Sequence, residues 1–254
     1  MTELKDKTVL ITGASAGIGR ACARKFAEQE SKLILVARRI DKLKELSKSL
    51  DVECHLIELD VRDSKAVKNA FASLSAVWND IDLLINNAGL SRGLSEIQDG
   101  DISGWEEMID TNIKGLLYVS RAIIPKMVEK NKGHIINIGS IAGHEVYPKG
   151  NVYCATKHAV DALTKGMRID LSGTNVKVST VDPGLVETEF SLVRFYGDQE
   201  RAEKVYKGFK ALEPDDIGDA VVWVANRPDH VQIAEIIILP KDQASSTIVS
   251  KNLG

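Results

Sequence analysis

Short runs rich in β-branched residues alternate with longer amphipathic stretches along almost the whole chain. Continuous apolar runs separated by helices are typical of a parallel sheet covered on both faces. The sequence therefore predicts a doubly wound α/β fold. Because no internal repeat or low-complexity linker divides residues 1–254, we expect one domain. Strands are predicted over 8–13, 32–37, 53–59, 82–86, 134–140, 176–181 and 235–240, the last at a sheet edge; predicted helices include 18–29, 42–50, 64–78 and 103–130.

Composition and charge argue against several classes of protein. Hydrophobic residues make up 44% of the chain and charged residues 27%, which is ordinary for a globular protein. A net charge of -3 gives no reason to expect binding to nucleic acid or to a membrane surface. The longest apolar runs, such as 236–239, are too short to cross a bilayer. We therefore expect no nucleic-acid or membrane partner.

The cysteines and the N-terminus predict a compartment. Cys22, Cys54 and Cys154 are odd in number, widely spaced and form no CxxC pair. They are expected to be reduced thiols, not a disulfide framework or a zinc site. The polar N-terminus runs directly into the first predicted strand and leaves no room for a signal peptide. These features predict a cytoplasmic protein.

A glycine-rich segment, TGASAGIG, follows the first predicted strand and opens the first predicted helix. Gly13, Gly17 and Gly19 permit positive φ and let backbone N–H groups approach a phosphate at the positive end of the helix. Thr12 and Ser15 can hold the turn or contact the phosphate. The spacing, GxxxGxG, is also compatible with an ordinary strand–helix turn. Its place in the first βαβ unit, where ligands of such folds bind, favours the phosphate loop.

Tyr153 and Lys157 stand four residues apart near the start of a predicted helix. Residues at this spacing share one helix face, so the ammonium can lie near the phenol. A nearby positive charge favours the phenolate and would lower the pKa of the tyrosine, ordinarily about 10. The alternative is a surface pair with no chemical role. The rest of the motif set decides between the two.

Four motifs occur in a fixed order: the glycine loop, NNAG at 86–89, Ser140, and the Tyr153/Lys157 pair. In this order they resemble the short-chain dehydrogenase/reductase family, and the resemblance extends from about residue 7 to residue 240. It implies a Rossmann-type, seven-stranded parallel sheet of order 3-2-1-4-5-6-7 with helices on both faces. It also implies reversible hydride transfer with a nicotinamide cofactor.

The resemblance also implies roles for individual residues. Tyr153 would pass the proton, Ser140 would polarise the substrate oxygen, and Lys157 would also bind the nicotinamide ribose. Asn112 would hold a water that links the lysine to solvent. The implied catalytic set is thus Asn112, Ser140, Tyr153 and Lys157. The implied cofactor-binding set is Gly13, Ser15, Gly17, Ile18, Gly19, Arg38, Arg39, Asp60, Val61, Asn86, Ala88, Gly89, Tyr153, Lys157, Pro183, Gly184, Val186 and Thr188.

The residues at the end of the second predicted strand determine whether the site prefers NAD or NADP. A carboxylate there would bind the ribose 2′-hydroxyl of NAD. This chain instead has Ala37 followed by Arg38 and Arg39, whose guanidinium groups can bind a 2′-phosphate. The arginines could also merely begin the next helix, on which Asp41 fits as an N-cap or first-turn acid. Ala16 leaves out the basic residue that some NADP-using members carry in the glycine loop. NADP is the favoured cofactor.

Longer segments, among them GHIINIGSIAG and VDPGLVETEFSLVRFYGD, resemble the subgroup acting on small 3-hydroxy acids such as serine or allo-threonine. A general ketone or 3-oxoacyl reductase is the alternative, and a non-catalytic NADP-binding regulatory module is a third. Family members are commonly homotetramers, and we expect the same here. The histidines His134, His144 and His158 are expected to make local hydrogen bonds, and their spacing predicts no metal site.

The segment near 187–212 is too long for a simple crossover turn. Five of the thirteen aromatic residues lie in it, which predicts a lid that excludes water from the substrate. Arg194 lies among these aromatics and could bind a substrate carboxylate bidentately. The alternative to a lid is an ordinary helical insertion buried against the domain or a neighbouring subunit, and the alternative for Arg194 is an exposed or salt-bridged side chain. The polar tail 241–254 is predicted to be a partner-docking arm or frayed. The aromatics are Phe190, Phe195, Tyr196, Tyr206 and Phe209.

Overall fold

The computed structural model describes residues 4–252, so residues 1–3 and the last two residues of the predicted tail lie outside it. Seven parallel strands form one sheet in the order β3-β2-β1-β4-β5-β6-β7. This confirms the predicted doubly wound fold and places β7 at an edge. The strands are β1 (Thr8–Thr12), β2 (Lys32–Ala37), β3 (Cys54–Glu58), β4 (Leu83–Asn86), β5 (Gly133–Ile138), β6 (Val176–Pro183) and β7 (Glu235–Ile238).

Helices cover both faces of this sheet. Successive side chains of a strand point to opposite faces, so Val9 and Ile11 pack in one core and Leu10 in the other. The α-helices are α1 (Gly17–Ala27), α2 (Ile40–Lys48), α3 (Ser64–Ala72), α4 (Ile102–Ile109), α5 (Leu116–Glu129), α6 (Asn151–Asp170), α7 (Glu189–Arg194), α8 (Gln199–Tyr206) and α9 (Pro214–Ala225).

Two separate apolar cores follow from this arrangement. The first packs α1, α2 and α9 on one face through residues such as Phe26, Leu43 and Ile217. The second packs α3 and α5 on the other face through residues such as Phe71 and Ile123. Burying a large aliphatic or aromatic side chain stabilises the folded state by about 1.5–3 kcal/mol, so these faces fix the strand register and the loops at the sheet edge.

Two predicted helices differ from the structure. The helix predicted over 103–130 is divided by a π-helical segment, Asp110–Gly115, that contains Asn112. π-Helical turns within α-helices are often found at functional sites. The helix predicted over 64–78 ends at Ala72, where Ser73 donates its hydroxyl proton to the Ala70 carbonyl. None of the helices within residues 4–252 is both long and apolar enough to span a bilayer.

Candidate active site

A cleft of about 580 Å³ lies beyond the carboxyl ends of the strands. The parallel arrangement brings the loops after β1 to β6 to this edge, so side chains distant in sequence meet there. Most of the predicted site residues line it. They are Gly13, Ser15, Gly17, Ile18, Arg38, Arg39, Asp60, Val61, Ala88, Gly89, Ser140, Tyr153, Lys157, Pro183, Gly184, Val186, Thr188 and Arg194.

The glycine loop has the geometry of a phosphate site. Gly13 and Gly17 have φ of 67° and 51°, which L-residues with a side chain rarely adopt. Ala16, the N-cap residue of α1, supplies no side-chain hydrogen bond to the first turn, and Gly17 and Ile18 of that turn line the cleft. A helix N-terminus with free N–H groups and a positive dipole end binds phosphate oxygens. The loop therefore fits the pyrophosphate of a dinucleotide.

Three predicted site residues do not reach the cleft. A β-carbon on Gly19 would overlap Asn87 and the Gly13 carbonyl, so this glycine allows the close approach of α1 to the loop. Asn86 points into the sheet, where its amide donates to Ser120 Oγ and Asn137 Oδ1 at 3.0 and 2.9 Å. The side chain of Asn86 therefore does not line the cleft, because the alternation of β4 turns it away and brings Asn87 to the cleft instead.

Asn112, the third of these residues, is 2% exposed in the π-helical segment. Its amide nitrogen donates to the Leu90 carbonyl and to Thr156 Oγ1, and its oxygen accepts from the Leu90 N–H at 2.8 Å. Both ends of the side chain are thus occupied by protein atoms. In the structure Asn112 joins the loop after β4 to the residue that precedes Lys157.

Two arginines mark the outer end of the cleft. Arg39 donates to Ser15 Oγ at 3.2 and 3.3 Å and pairs with Glu189 at 3.1 Å. Arg38 lies 3.9 Å from Glu107. Both arginine side chains are about half exposed. Since their present partners are exposed or distant, a phosphate dianion between them can replace those partners at small cost.

Asp60 and Val61 follow β3 at the same end. Asp60 accepts hydrogen bonds from Arg62, the shortest of 2.6 Å. Partial burial raises the pKa of the Asp60 carboxyl, but the bonds from Arg62 outweigh that effect and lower it. An ionised carboxylate is therefore held at the place where the resemblance puts the adenine ring. Asp41 is the first-turn acid of α2 and does not cap it, because Arg39 is the N-cap residue.

Ser140, Tyr153 and Lys157 meet at the inner end. Lys157 Nζ donates to the Ile138 carbonyl at 2.9 Å and lies 6.0 Å from the centre of the Tyr153 ring. Ser140 Oγ donates to the Pro183 carbonyl and accepts from the Ala142 N–H at 3.1 Å. Tyr153 and Lys157 are each 8% exposed. The surface-pair alternative is therefore wrong for this pair.

The pKa of Tyr153 does not move in the expected direction. Burial raises it well above its ordinary value, and the neighbouring Tyr147 raises it further. Arg194 and the Ser140 hydroxyl act in the opposite direction. Burial also lowers the pKa of Lys157 to about 8, although the Asp182 carboxylate acts to raise it. Desolvation thus outweighs the charge that the helical spacing supplies.

Arg194 is a second buried basic side chain at the inner end, at 9% exposure. Its Nε donates to Ser91 Oγ at 3.0 Å, and its Nη2 donates to Tyr147 Oη at 2.8 Å. Its guanidinium carbon lies 5.1 and 5.2 Å from the ring centres of Tyr153 and Phe190. Within residues 4–252, no carboxylate forms an ion pair with it. The expected alternative of an exposed or salt-bridged Arg194 is therefore wrong.

Sequence reasoning missed the residues that hold Arg194. Ser91 follows the NNAG motif by two positions, and Tyr147 lies in the loop before α6. Neither has a spacing relative to Arg194 that a sequence pattern would reveal, because 47 residues separate Tyr147 from it and 103 separate Ser91. The only available signal was the concentration of aromatic residues around position 194.

The segment predicted as a lid contains α7 and α8, and two of its five aromatics, Phe190 and Tyr206, line the cleft. The tail packs on the chain itself. Gln243 is 5% exposed and accepts from the Leu185 N–H at 2.9 Å, and the Asn252 N–H donates to the Gly208 carbonyl at 2.7 Å. Ser246 lines the cleft. Up to residue 252, the tail is thus neither frayed nor extended away from the protein.

The histidines make local hydrogen bonds, as expected. His134 Nε2 lies 2.8 Å from Ser179 Oγ, and burial lowers the pKa of this imidazole to about 3. His158 Nδ1 lies 2.9 Å from the Cys154 carbonyl. His144 Nε2 lies 2.8 Å from Asp182 Oδ2, with Glu235 beyond it. Cys154 is fully buried beside Tyr153, as expected for a small core residue.

Comparison with known proteins agrees with this geometry. The short chain dehydrogenase family matches residues 7–195. The chain therefore belongs to the short-chain dehydrogenase family, and the predicted family is confirmed. The cleft, its glycine loop and the Ser140–Tyr153–Lys157 cluster lie in or across the matched region.

Individual relatives cover nearly the whole chain. The NADP-dependent 3-hydroxy acid dehydrogenase YdfG of Salmonella typhi is 49% identical over 237 residues, which is 93% of this chain and 96% of that protein. The NADP-dependent 3-hydroxy acid dehydrogenase of Schizosaccharomyces pombe is 42% identical over 254 residues, which is 98% of both chains.

Solved structures show the same likeness. The closed form of serine dehydrogenase complexed with NADP+ matches with a TM-score of 0.92 and 46% identity, covering 96% of this chain and 99% of that one. Serine dehydrogenase from Escherichia coli matches with a TM-score of 0.83 and 43% identity, covering 93% and 99%.

Proposed function

We propose that the protein is an NADP-dependent oxidoreductase that transfers a hydride between NADP(H) and a small 3-hydroxy acid such as serine or allo-threonine. The observation that carries the substrate class is Arg194: a buried guanidinium, without an ion-pair partner in residues 4–252, that lies beside the Tyr153 ring. Relatives named as NADP-dependent 3-hydroxy acid dehydrogenases support the same reaction.

The cofactor-binding role is assigned to residues along the outer cleft. The free N–H groups at the start of α1 suit the pyrophosphate, and Arg38 with Arg39 suits the 2′-phosphate. Lys157, at the inner end, would bind the nicotinamide ribose. When bound, the nicotinamide ring accepts or supplies the hydride. The residues so assigned are Gly13, Ser15, Gly17, Ile18, Arg38, Arg39, Asp60, Val61, Ala88, Gly89, Tyr153, Lys157, Pro183, Gly184, Val186 and Thr188.

Tyr153 is the proposed proton carrier. Because burial raises the pKa of its phenol, the side chain is protonated near pH 7 and can donate its proton to the developing alkoxide during carbonyl reduction. In the oxidation direction it must take up a proton, and the positive charges of Arg194 and Lys157 stabilise the phenolate required for this. The Ser140 hydroxyl then donates a hydrogen bond to the substrate oxygen.

Arg194 is the proposed carboxylate site. Ser91 and Tyr147 each accept one hydrogen bond from the guanidinium and so fix its plane, while Nη1 donates to no atom within residues 4–252. A carboxylate that accepts from the guanidinium is worth about 1.5–3 kcal/mol, and more where the site excludes water. This group also lies close enough to Tyr153 to hold a three-carbon acid with its hydroxyl at the phenol.

The segment 187–212 is the proposed substrate lid of a one-domain protein. It brings Phe190 and Arg194 to the cleft, and Tyr206 closes the same wall. The lid is held on the loop after β4, since the Gly93 N–H donates to the Arg194 carbonyl at 2.8 Å and Arg92 Nη1 donates to the Val193 carbonyl at 2.7 Å. Excluding water in this way protects the hydride path.

We also propose a cytoplasmic homotetramer. Apolar side chains at the β7 edge and on nearby helices are exposed in the single chain: Ile237 at 44%, Trp223 at 45% and Ile169 at 75%. Such a cluster is suited to contact with a second copy of the chain. Light scattering on the purified protein tests this directly, because a monomeric mass would contradict it.

Two other functions are weaker. A general ketone or 3-oxoacyl reductase needs no guanidinium such as that of Arg194 beside the reacting oxygen, and a regulatory module needs no Ser140–Tyr153–Lys157 cluster. The deciding experiment measures NADPH formation with 3-hydroxy acids and with simple alcohols, using NADP+ and NAD+. We expect turnover of the acids with NADP+. Turnover of simple alcohols alone would support the reductase, and no turnover with any compound would support the regulatory module.

A further inference from the structure

A buried carboxylate lies behind the catalytic lysine. Asp182, near the end of β6, is 2% exposed. Its Oδ1 accepts from Thr180 Oγ1 at 2.6 Å, and its Oδ2 lies 2.8 Å from His144 Nε2. Burying a carboxylate is costly unless it is hydrogen-bonded and faces positive charge. Burial raises the pKa of the Asp182 carboxyl, and the hydrogen bonds with Thr180 and His144 act against that rise.

Asp182 and Lys157 both approach the end of β5, without a direct ion pair between them. Lys157 Nζ donates to the Ile138 carbonyl at 2.9 Å. The next residue is Gly139, where a β-carbon would overlap Asp182 Oδ1. The missing side chain at Gly139 thus lets the carboxylate reach the segment that holds the ammonium group.

The charges around this pair are few. Lys157 faces the Tyr153 phenol from its own helix, the neutral Ile138 carbonyl from β5, and Asp182 from β6. Asp182 in turn faces His144, whose Nδ1 lies 3.9 Å from Glu235 on β7. Burial lowers the pKa of Lys157, and Asp182 raises it.

We propose that Asp182 is a positioning residue for the reaction: its carboxylate, held by Thr180 and His144, keeps the buried Lys157 side chain protonated while the enzyme works. This inference rests on the proposed function, in which Lys157 acts as an ammonium group beside Tyr153. Asp182 does not touch the substrate or the cofactor, and it acts through Lys157 alone.

The expected consequence is a shift in the pH profile. A neutral residue at position 182 removes the charge that favours the ammonium form, so the pKa of Lys157 falls below its value of about 8. At a pH between the Lys157 pKa of the variant and that of the wild type, Lys157 is mostly charged in the wild type and mostly neutral in the variant. The alkaline limb of activity therefore moves to lower pH, and activity below the limb is retained.

The test compares Asp182→Asn, Asp182→Glu and Glu235→Gln with the wild type. Asparagine is isosteric and retains a hydrogen bond to Thr180 and to His144, so the fold is disturbed little. The readout is kcat/KM for NADPH-dependent reduction of acetoacetate, a 3-oxo acid, between pH 6 and pH 10. We expect Asp182→Asn to move the alkaline limb down by about one pH unit. Asp182→Glu, which restores the charge, should return the limb toward its wild-type position.

Glu235→Gln is the matched control, since it removes one negative charge from the same cluster on the far side of His144. The alkaline limb of the Glu235→Gln pH profile should coincide with that of the wild type within experimental error. An equal shift in Glu235→Gln and Asp182→Asn, or a loss of kcat in Asp182→Asn with no movement of the limb, would overturn the proposal. If Asp182→Asn does not fold, Asp182→Ser removes the same charge with a smaller side chain and carries the same expectation.

A second readout needs no turnover. In protein labelled with 13C at lysine Cε, the Lys157 signal is identified by its absence from Lys157→Met, and its chemical shift is followed with pH. We expect its midpoint to fall in Asp182→Asn and to stay in Glu235→Gln. An unchanged midpoint in Asp182→Asn overturns the proposal. A lowered midpoint in an enzyme that oxidises no 3-hydroxy acid supports the Asp182 assignment and rejects the proposed function.

Discussion

The two ends of the cleft each present an arginine, in opposite surroundings. Arg39 at the outer end is about half exposed and paired with Glu189, which is also exposed. Arg194 at the inner end is 9% exposed, and within residues 4–252 its guanidinium donates hydrogen bonds only to the neutral hydroxyl groups of Ser91 and Tyr147. The guanidinium of Arg39 thus already pairs with a carboxylate, whereas that of Arg194 contacts neutral hydroxyl groups.

The difference shows how one cleft can bind two anions in different ways. An exposed ion pair is worth about 0–1 kcal/mol, so Arg39 exchanges Glu189 for a phosphate at little cost. A buried cation without a counter-ion gains much more from a carboxylate, because water competes poorly there. The outer end should therefore tune affinity for the cofactor, and the inner end should decide which substrates react.

The largest expected effect lies at the inner end, in the chemical step. Tyr153→Phe removes the proton carrier and retains the ring, so kcat should fall by about 10²-fold or more. Binding of NADPH, followed by its fluorescence, should persist because the outer contacts are unchanged. Turnover close to that of the wild type would place the proton transfer on another residue.

The second effect separates acid from neutral substrates. Arg194→Ala should raise KM for 3-hydroxypropionate by about 10–100-fold, since a charge-assisted contact of about 1.5–3 kcal/mol is lost. 3-Hydroxypropionamide has the same shape without the charge, and its KM should change little. Arg201→Ala is the control, because that arginine stacks on Phe195 elsewhere in the lid and does not line the cleft. Equal losses for the two compounds would remove Arg194 from the carboxylate site.

The third effect belongs to the outer end. Replacing both Arg38 and Arg39 with alanine should weaken NADPH by about tenfold or more and NADH much less, because only NADPH carries the 2′-phosphate. Dissociation constants for the two cofactors measure this. Arg121→Ala, which removes an exposed arginine of α5 outside the cleft, serves as the control. A similar weakening of both cofactors would mean that the two arginines support the fold.

The smallest effect is a gain in affinity. Glu189→Gln removes the anion that pairs with Arg39, so NADPH should bind about two- to fivefold more tightly, within the range of an exposed pair. The affinity for NADH, which lacks the 2′-phosphate, should not increase. Glu187→Gln, also exposed, is the control. Weaker NADPH binding in Glu189→Gln would show that this carboxylate supports the cofactor site.

Much of the fold could be predicted from the sequence because strand and helix patterns are local. The ends of all seven strands lie within two residues of their predicted positions. The π-helical segment at Asn112 could not be predicted in this way, because its residues continue an ordinary helical pattern and only tertiary contacts with Leu90 and Thr156 distinguish it.

The positions of the candidate site residues could be predicted from the sequence better than the pKa values of their side chains. Motif order located the glycine loop, Ser140, Tyr153 and Lys157, which the fold brings to one cleft. The spacing of Tyr153 and Lys157 predicted a lowered phenol pKa, whereas burial raises it. Burial depends on what packs from other elements, such as Tyr147 and Phe190, and a helical spacing contains no information on that.

The most direct test of the central claim is a crystal structure of Tyr153→Phe, in which turnover is slowed, with NADP+ and 3-hydroxypropionate. The account predicts the 2′-phosphate between Arg38 and Arg39 and the substrate carboxylate on the Arg194 guanidinium, with the hydroxyl group toward Ser140. A carboxylate bound away from Arg194, with that arginine still bonded only to Ser91 and Tyr147, would contradict it.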